Sequence, residues 1–298
     1  MFRRVQWNKV TLVGVGLLGG SLGLALKRRR LARHVEGYVR RAASIKECQK
    51  FKAADHATQD LALAVADADL VILCTPLAQM RPLVRQMLPA LKRGAIVTDV
   101  GSVKASVVKE LEALVAKAGA HFIGSHPMAG GEKTGVSAAR ADLFENAVCV
   151  VTPTPKSNRA ALRQVERFWK AVGSRLLTLT PQAHDELVSR SSHLPYLLAA
   201  TLANYVLNLT HSKHQATLCA IGFRDTTRIA SGSPEMWRDI ALANRAAIRV
   251  ALDEFVRDLQ RVQSLLRQND ADELMRWFDT AKQRRDEWCA QASATLPE

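Results

Sequence analysis

A glycine-rich turn near the amino terminus constrains the fold more than any other feature of the sequence. A short apolar strand is predicted over residues 9–13 and a helix over residues 17–31. Gly14 and Gly16 lie between them and Gly19 lies in the first turn of the helix, with the spacing G-x-G-x-x-G. In this pattern the first glycine makes a tight turn, the second lets a pyrophosphate approach the backbone, and the third lets helix and strand pack closely. The amino end of the helix then offers free N–H groups to a phosphate. The turn therefore predicts a dinucleotide-binding domain.

The rest of the first 180 residues alternates between strands and helices. Further strands are predicted at 35–39, 69–76, 94–99, 120–124 and 147–152, and further helices at 42–51, 80–91 and 104–118. Such alternation predicts an α/β domain with a Rossmann-type, doubly wound, mostly parallel sheet. After Pro181 the periodicity is helical, over 187–209, 215–229, 234–268 and 271–291. We therefore predict a dinucleotide-binding domain over 1–180 and an all-helical substrate-binding and dimerisation domain over 181–298.

The end of the second predicted strand indicates which nicotinamide cofactor the domain prefers. NAD enzymes place an acidic residue about 20 residues after the glycines, where it binds the ribose hydroxyls. Val39 stands there instead, and the guanidiniums of Arg40 and Arg41 follow, which can pair with a 2′-phosphate. This predicts a preference for NADP over NAD, unless both arginines are solvated surface charges. The predicted cofactor contacts are Gly14, Gly16, Leu17, Leu18, Gly19, Val39, Arg40, Arg41, Thr75 and Pro76.

Charge and cysteine content narrow the partners and the compartment. The net charge of +14 attracts anions, but aromatic residues make up only 5% of the chain and no zinc-finger spacing occurs. We therefore expect small anionic ligands rather than nucleic acid. The five cysteines are scattered without a C-x-x-C pair, which favours a reducing compartment, the cytoplasm. Glycines interrupt the apolar stretch of residues 10–26, and no other stretch is long enough to predict a membrane span.

Four further segments carry residue types suited to proton transfer and anion binding. D-V-G-S-V-K at 99–104 and G-S-H-P-M-A-G-G-E at 124–132 each follow a predicted strand. The second places His126 in a glycine-rich loop at the sheet edge, where an imidazole could move a proton near a nicotinamide. S-H-L-P at 192–195 and F-R-D-T-T-R-I-A at 223–230 lie in the helical half.

In combination, these segments resemble the prephenate/arogenate dehydrogenase family, from about residue 10 to about residue 244. The resemblance implies a Rossmann domain, an interlocked helical homodimer and oxidative decarboxylation of a dicarboxylate substrate, prephenate or arogenate, with hydride transfer to NAD(P)⁺. No segment resembles a fused chorismate mutase or a regulatory ACT domain, so any feedback by tyrosine is expected to act in or near the active site.

The resemblance also implies roles for individual residues. His126 matches the catalytic histidine that takes a proton from the substrate's 4-hydroxyl, and Ser102 matches the serine that orients it. Arg228 matches the arginine that binds the ring carboxylate, and His193 matches a histidine that contacts the substrate side chain. Glu132 and Asp225 match acidic residues at the pocket mouth. The predicted substrate contacts are therefore Arg228, His193, Glu132 and Asp225.

Several alternatives stay open at this point. His193 could be a core histidine bonded to backbone, and His34, His56, His121 and His184 are predicted to be ordinary surface or strand-edge residues. His211 and His214 have H-x-x-H spacing without an accompanying carboxylate or thiol, so no metal is expected. Another two-domain NADP-dependent enzyme, such as a 3-hydroxyacid dehydrogenase or an imine reductase, would share the fold. A basic nucleic-acid-binding regulator with a retained Rossmann fold would instead bind DNA with steep salt dependence.

Overall fold

A single central sheet organises the first part of the chain in the computed structural model, which describes residues 7–131, 133–208, 210 and 213–294. Among these residues, eight strands form the order β3-β2-β1-β4-β5-β6-β7-β8. Their bounds are β1 Trp7–Val13, β2 Ala32–Tyr38, β3 His56–Thr58, β4 Leu70–Leu73, β5 Ile96–Asp99, β6 His121–Pro127, β7 Val148–Thr152 and β8 Arg175–Thr178. All neighbouring strands pair in parallel except β6 and β7. The predicted doubly wound, mostly parallel sheet is confirmed.

Helices flank this sheet and make up the rest of the described chain. Their bounds are α1 Leu17–Arg28, α2 Ala42–Lys50, α3 Leu61–Val65, α4 Leu77–Met87, α5 Ala105–Ala116, α6 Arg159–Ala171, α7 Pro181–Val188, α8 Leu194–Val206, α9 Lys213–Thr217, α10 Ile221–Thr227, α11 Pro234–Ala243, α12 Arg245–Gln268 and α13 Ala271–Ala294. A π-helical segment, Ser189–His193, joins α7 to α8, and a 3₁₀ turn, Arg228–Ser231, follows α10. The predicted helical character of the carboxyl-terminal part is also confirmed.

The centre of the sheet is apolar on both faces. All four residues of β4, Leu70 to Leu73, are fully buried, as expected of a parallel strand that helices cover on both sides. Two hydrophobic clusters result, one containing Leu12 and Trp169 and the other containing Val13 and Met80. Adjacent residues of β1 therefore enter different clusters, since successive side chains of a strand point to opposite faces.

The strand order brings the glycine-rich turn to the place where ligands of such sheets bind. The order reverses between β1 and β4, and the crevice at the carboxyl ends of strands on either side of such a reversal is the usual ligand site. The turn at Gly14 directly follows β1, and Thr75 and Pro76 follow β4. The segments that follow β5 and β6 lie at the same edge of the sheet. His126 is part of β6 itself, because this strand continues to Pro127.

That continuation corrects one prediction. We predicted a strand ending at Gly124 and His126 in a loop, but β6 extends to Pro127. The reason is the antiparallel pairing with β7, in which Gly124 faces Thr152 and His126 faces Val150. A neighbouring strand thus supplies the hydrogen bonds that hold a segment of weak strand propensity extended. His126 is consequently held by a rigid element rather than by a loop.

The described chain forms two compact units, residues 1–245 and 246–298. Helices α7 to α11 belong to the same unit as the sheet, and the predicted domain division after residue 180 stays a prediction. No helix in the described ranges has the combination of length and apolar character that crossing a bilayer requires. None of the five cysteines forms a disulfide.

Candidate active site

A cavity of about 300 Å³ lies at the carboxyl ends of β1, β2 and β4. Most of the predicted cofactor contacts line it: Gly14, Gly16, Val39, Arg40, Arg41, Thr75 and Pro76. The other three, Leu17, Leu18 and Gly19, lie in the first turn of α1 and are not among the lining residues. The glycine-rich turn and the end of β2 therefore meet in one cavity.

Each of the three motif glycines is favoured at its position for a different physical reason. Gly14 has φ +97°, a left-handed conformation that favours glycine. A Cβ on Gly19 would lie 2.0 Å from the carbonyl oxygen of Gly14, so only glycine lets α1 pack this closely. A Cβ on Gly16 would meet no protein atom within 4 Å, which leaves open space beside the backbone where a pyrophosphate could lie. These residues fit a dinucleotide whose pyrophosphate rests on the amino end of α1.

The adenosine side of the cavity combines positive charge with a carboxylate. Arg40 and Arg41 are exposed, and Arg41 precedes the first turn of α2. Ser44 on that helix also lines the cavity and could donate a hydrogen bond to a phosphate. Glu47, one turn further on, lines it as well and opposes binding of an anion. At the position where NAD enzymes hold the ribose with a carboxylate, this chain has Val39, whose side chain is buried.

A chain of two imidazoles and a carboxylate lies at the end of β6. His126 is buried, and its Nδ1 lies 2.8 Å from Nε2 of His184. Nδ1 of the fully buried His184 lies 2.8 Å from the carboxylate of Asp185. That carboxylate also accepts hydrogen bonds from the backbone N–H groups of Lys104, at 2.7 Å, and Ala105, at 2.8 Å. The chain His126–His184–Asp185 therefore ends on the amino terminus of α5, where the helix dipole favours a negative charge.

This environment keeps His126 uncharged at neutral pH. Burial lowers the pKa of His126 well below its ordinary value of 6.5, and electrostatic interactions with His184, Lys104 and His193 lower it further. A neutral imidazole has a lone pair with which it can accept a proton from a ligand hydroxyl. His126 thus has the protonation state that a general base needs.

A buried ion pair fixes the backbone next to His126. Lys104 is fully buried, and its ammonium group contacts the Asp99 carboxylate and donates to the carbonyl oxygen of Ser125 at 2.8 Å. The same carboxylate accepts the N–H of Ser125 at 3.1 Å. The Ser125 hydroxyl donates to the Asp99 carbonyl at 2.6 Å and accepts a hydrogen bond from Nε1 of Trp169 at 3.0 Å. These bonds hold β6 firmly at the residue that precedes His126.

His193 lies in the same buried region and is held by a different partner. The side-chain amide of Asn244 lies 3.2 Å from Nδ1 of His193 and donates to the carbonyl oxygen of Asp185 at 2.8 Å. Burial lowers the pKa of His193 to about 4, against opposing effects of Asp185 and the Ser102 backbone. Within the described part of the chain, Nε2 of His193 makes no hydrogen bond of regular geometry.

An aromatic pair lies beside this histidine. The Trp237 ring meets the His193 ring edge-on at 6.2 Å and stacks on Tyr196 at 3.7 Å. These contacts tie α8 and α11 together at the buried histidine. His193 is therefore packed and hydrogen-bonded like a core residue, yet it keeps one ring nitrogen without a regular partner.

The structure places Arg228 and Asp225 outside this buried cluster, whereas the backbone of Ser102 lies close enough to His193 to affect its pKa. Ser102 is half-buried in the loop before α5, and the partner found on Nδ1 of His126 is His184 rather than the Ser102 hydroxyl. Arg228 is exposed at the start of the 3₁₀ turn, and Asp225 is exposed on α10, 4.0 Å from Arg224. Glu132 lies outside the described residues. Convergence of Arg228, Asp225 and Glu132 on His126 thus stays a prediction.

Sequence reasoning missed the residues that hold the two histidines. His184 was predicted to be a surface or strand-edge residue, and this is wrong, since it is fully buried between His126 and Asp185. Asp185 and Asn244 were not singled out at all. The one available signal was the pair His184-Asp185 near the start of a helix that leads into S-H-L-P.

Comparisons with known proteins identify the family of the chain. Residues 22–178 match a family model described as the nucleotide-binding domain of prephenate dehydrogenase, and residues 180–280 match its dimerization domain. The chain is 34% identical to a prephenate dehydrogenase of Bacillus subtilis, over 97% of this chain and 78% of the relative. It is 32% identical to a cyclohexadienyl dehydrogenase of Zymomonas mobilis, over 94% and 95%.

A solved structure is similar over nearly the whole chain. Prephenate dehydrogenase from A. aeolicus, in complex with hydroxyphenyl propionate and NAD⁺, superposes with a TM-score of 0.88 and 31% identity. The superposition covers 94% of this chain and 98% of that one. The similarity therefore includes the sheet and the helices after it.

Proposed function

The chain belongs to the prephenate dehydrogenase family, and we propose that it catalyses oxidative decarboxylation of prephenate or arogenate in tyrosine biosynthesis. The observation that carries the proposal is the buried, neutral His126, held on a strand at the ligand edge of a dinucleotide-binding sheet. A nicotinamide cofactor bound in the cavity beside the glycine-rich turn supplies the acceptor for the hydride that leaves C4 of the substrate.

His126 is the proposed general base. As the hydride leaves C4, the 4-hydroxyl becomes acidic, and Nε2 of His126 accepts its proton. The bond between the ring and its carboxylate then breaks, carbon dioxide leaves, and the bonding electrons make the ring aromatic. The same proton returns from His126 to the phenolic oxygen, so the histidine ends the cycle neutral.

Arg228 is the proposed partner of the ring carboxylate, and His193 the proposed contact of the substrate side chain. A guanidinium binds a carboxylate through two parallel hydrogen bonds, which suits an anion that must stay oriented until carbon dioxide leaves. Asp225 and Glu132 are proposed to shape the pocket mouth, and Ser102 to help orient His126. Arg228 is exposed, which is where a residue that captures a ligand from solvent is expected.

A side-by-side assay tests this proposal. Purified protein is given prephenate or arogenate with NAD⁺ or NADP⁺, and formation of the reduced cofactor is followed. We expect His126→Asn to lower kcat by about 10²-fold or more, because it removes the base, and Arg228→Gln mainly to raise KM. Arg163→Gln, at an exposed position of α6, is the surface control. Near-normal turnover by His126→Asn, or no turnover of either substrate by the wild type, would refute the proposal.

We further propose that NADP⁺ is the preferred cofactor. Arg40, Arg41 and Ser44 surround the place where a 2′-phosphate would lie, and Val39 replaces the usual carboxylate. The ratio of kcat/KM for NADP⁺ to that for NAD⁺ should exceed one and fall by about tenfold in Arg41→Ala, which removes one charge-assisted hydrogen bond. Glu47 acts in the opposite direction, so Glu47→Gln should raise the ratio. A ratio below one in the wild type would overturn this preference.

A homodimer is the proposed assembly. The matched dimerization model spans residues 180–280, and α13 exposes large apolar side chains, with Met275 70%, Phe278 54% and Trp288 64% exposed. Exposed apolar surface on this scale commonly marks a protein interface. Sedimentation should give twice the chain mass of 32.7 kDa. A cytoplasmic location is proposed from the five scattered cysteines, none of which forms a disulfide.

The alternatives make different predictions. A 3-hydroxyacid dehydrogenase would reduce its cofactor with a 3-hydroxyacid, and an imine reductase would oxidise NADPH with an imine. Neither would turn over prephenate or arogenate. A nucleic-acid-binding regulator would bind DNA with an affinity that falls steeply with salt, and would not bind NADPH. The assay above, with one DNA-binding titration added, separates all three.

A further inference from the structure

The two buried histidines of the site are held by partners with opposite hydrogen-bonding character. The Asp185 carboxylate only accepts hydrogen bonds, and the backbone N–H groups of Lys104 and Ala105 already bind it. The remaining bond, to Nδ1 of His184, therefore requires a proton on that nitrogen. In neutral His184 the other nitrogen, Nε2, then carries a lone pair.

That requirement passes on to His126. Since Nε2 of His184 accepts, Nδ1 of His126, 2.8 Å away, must donate. Neutral His126 then has its proton on Nδ1 and its lone pair on Nε2. Nε2 of His126, at the far end of the hydrogen-bonded series from Asp185, is thereby set as a proton acceptor.

Asn244 favours the opposite tautomer in His193. The Asn244 amide nitrogen bonds to the Asp185 carbonyl oxygen at 2.8 Å, and only an N–H can make that bond. The same NH₂ group has a second proton, which it directs at Nδ1 of His193, 3.2 Å away. Nδ1 of His193 therefore accepts, and its proton lies on Nε2. Among the described residues Nε2 makes no hydrogen bond of regular geometry, although the Ser102 backbone raises the pKa of this histidine, so the Nε2–H group can donate to a ligand oxygen.

We propose that residue 185 sets both tautomers: its carboxylate, through His184, makes Nε2 of His126 an acceptor, and its carbonyl, through Asn244, makes Nε2 of His193 a donor. His184, Asp185 and Asn244 are positioning residues in this scheme. The proposal deepens the proposed function, because a base and a hydrogen-bond donor are what a hydroxyl and a side-chain oxygen of one substrate require. When His126 takes the hydroxyl proton, the added charge is stabilised along the chain by the Asp185 carboxylate.

The charged groups around the chain come from several elements. Lys104, between β5 and α5, and His193, in the π segment, each lower the pKa of His126, whereas Asp185, on α7, raises that of His193. Asp99, at the end of β5, is occupied by the Lys104 ammonium. None of these replaces the Asp185 carboxylate as the acceptor for His184.

The tautomers can be measured without any substrate. In protein with ¹⁵N-labelled histidine rings, long-range ¹⁵N–¹H correlation spectra at pH 7.5 distinguish Nδ1–H from Nε2–H rings. Signals are assigned with the single variants His126→Gln, His184→Gln and His193→Gln. We expect Nδ1–H for His126 and His184 and Nε2–H for His193. An Nε2–H signal for wild-type His126, or an Nδ1–H signal for His193, overturns the proposal whatever the enzyme's substrate is.

Asp185→Asn tests the consequence for catalysis. Its amide can donate to Nδ1 of His184, which moves the proton of His184 to Nε2 and that of His126 to Nε2 as well. We expect the His126 signal to change to Nε2–H and kcat to fall about 10²-fold or more, with KM changed less than about threefold. Asp67→Asn, at an exposed turn, is the charge-matched control and should behave as wild type. Unchanged tautomers with a loss of kcat would show a merely structural role for Asp185 and refute the proposal.

Asn244→Asp is the complementary variant. Its carboxylate accepts rather than donates, so Nδ1 of His193 should gain the proton and its Nε2 should lose the ability to donate. We expect KM to rise about tenfold while kcat changes little, the reverse of the Asp185→Asn pattern. Should the enzyme turn over neither prephenate nor arogenate, the proposed function fails and the tautomer spectra still decide this inference. Should Asn244→Asp leave the His193 signal unchanged, Asn244 does not set it.

Discussion

Alanine substitutions at two glycines, one directly before α1 and one within it, are expected to separate an effect on ligand binding from an effect on stability. A Cβ at Gly16 would meet no protein atom within 4 Å, whereas a Cβ at Gly23 would lie 1.7 Å from the carbonyl oxygen of Ala53. We predict that Gly16→Ala lowers the free energy of unfolding by no more than about 1 kcal/mol, because Gly16 is the N-cap of α1, where alanine is less favourable than glycine. Binding of NADPH should weaken at least tenfold, because the methyl group occupies the space for the pyrophosphate.

Gly23→Ala should show the reverse. Helix α1 must move away from Ala53, which we expect to cost about 2 kcal/mol, a typical penalty for overpacking. Urea unfolding without cofactor and fluorescence titration with NADPH, carried out on both variants, provide the comparison. Tight NADPH binding by Gly16→Ala would mean that the pyrophosphate does not approach the turn at this residue.

At the scale of elements, α7 carries two of the three residues that we propose set the tautomers of His126 and His193, namely His184 and Asp185. The helix begins at Pro181, and Thr180 directly before it is the N-cap. The Thr180 hydroxyl accepts a hydrogen bond from the N–H of Ala183 at 3.1 Å. We predict that Thr180→Ala lowers the free energy of unfolding by about 1 kcal/mol, since it leaves the first turn without its cap. Thr180→Ser keeps the hydroxyl and should lose less than half as much in urea unfolding. Equal losses in the two variants would show that the methyl group, not the cap, matters.

The alternation of strands and helices was predictable because each element carries its own apolar pattern. Helix α6 was missed although the signal was present: Asn158 caps it, and Ala161, Val165 and Phe168 recur on one face. Strand β8 could not be predicted from an apolar pattern, because it is a four-residue edge strand whose side chains are mostly exposed. Strand β3 has only three residues. Such short strands depend on pairing with a neighbour and carry almost no pattern of their own.

The site was predictable only where one local motif carries it. The glycine turn and His126 follow from the sequence, but the contact of His126 with His184 joins residues 58 positions apart through the packing of α7 on β6. In a regular α-helix, nine residues span about two and a half turns, which would place His184 and His193 on opposite faces. The π segment Ser189–His193 changes that relation, and S-R-S-S-H has no periodicity that announces it.

For the whole molecule, two buried neutral histidines make stability depend on pH. In the unfolded chain each histidine titrates near 6.5, whereas folding lowers the pKa of His193 to about 4 and that of His126 well below 6.5. Below pH 6.5 the unfolded chain therefore binds protons that the folded chain does not, and the free energy of unfolding falls as pH decreases. The lowered pKa values of Asp55 and Asp69 act only below their ordinary 3.8, outside this window.

His193→Gln isolates one of these contributions. At 1.36 kcal/mol per pKa unit, His193 alone should lower the free energy of unfolding by about 2 kcal/mol between pH 7 and pH 5. Urea unfolding at pH 7, 6 and 5 should therefore show the wild type losing about 2 kcal/mol more than His193→Gln over this range. The remaining slope of the variant reports on His126, which is still neutral and buried when residue 193 no longer titrates. Parallel pH profiles for the two proteins would mean that His193 takes up its proton in the folded state, and so is not held neutral by its burial.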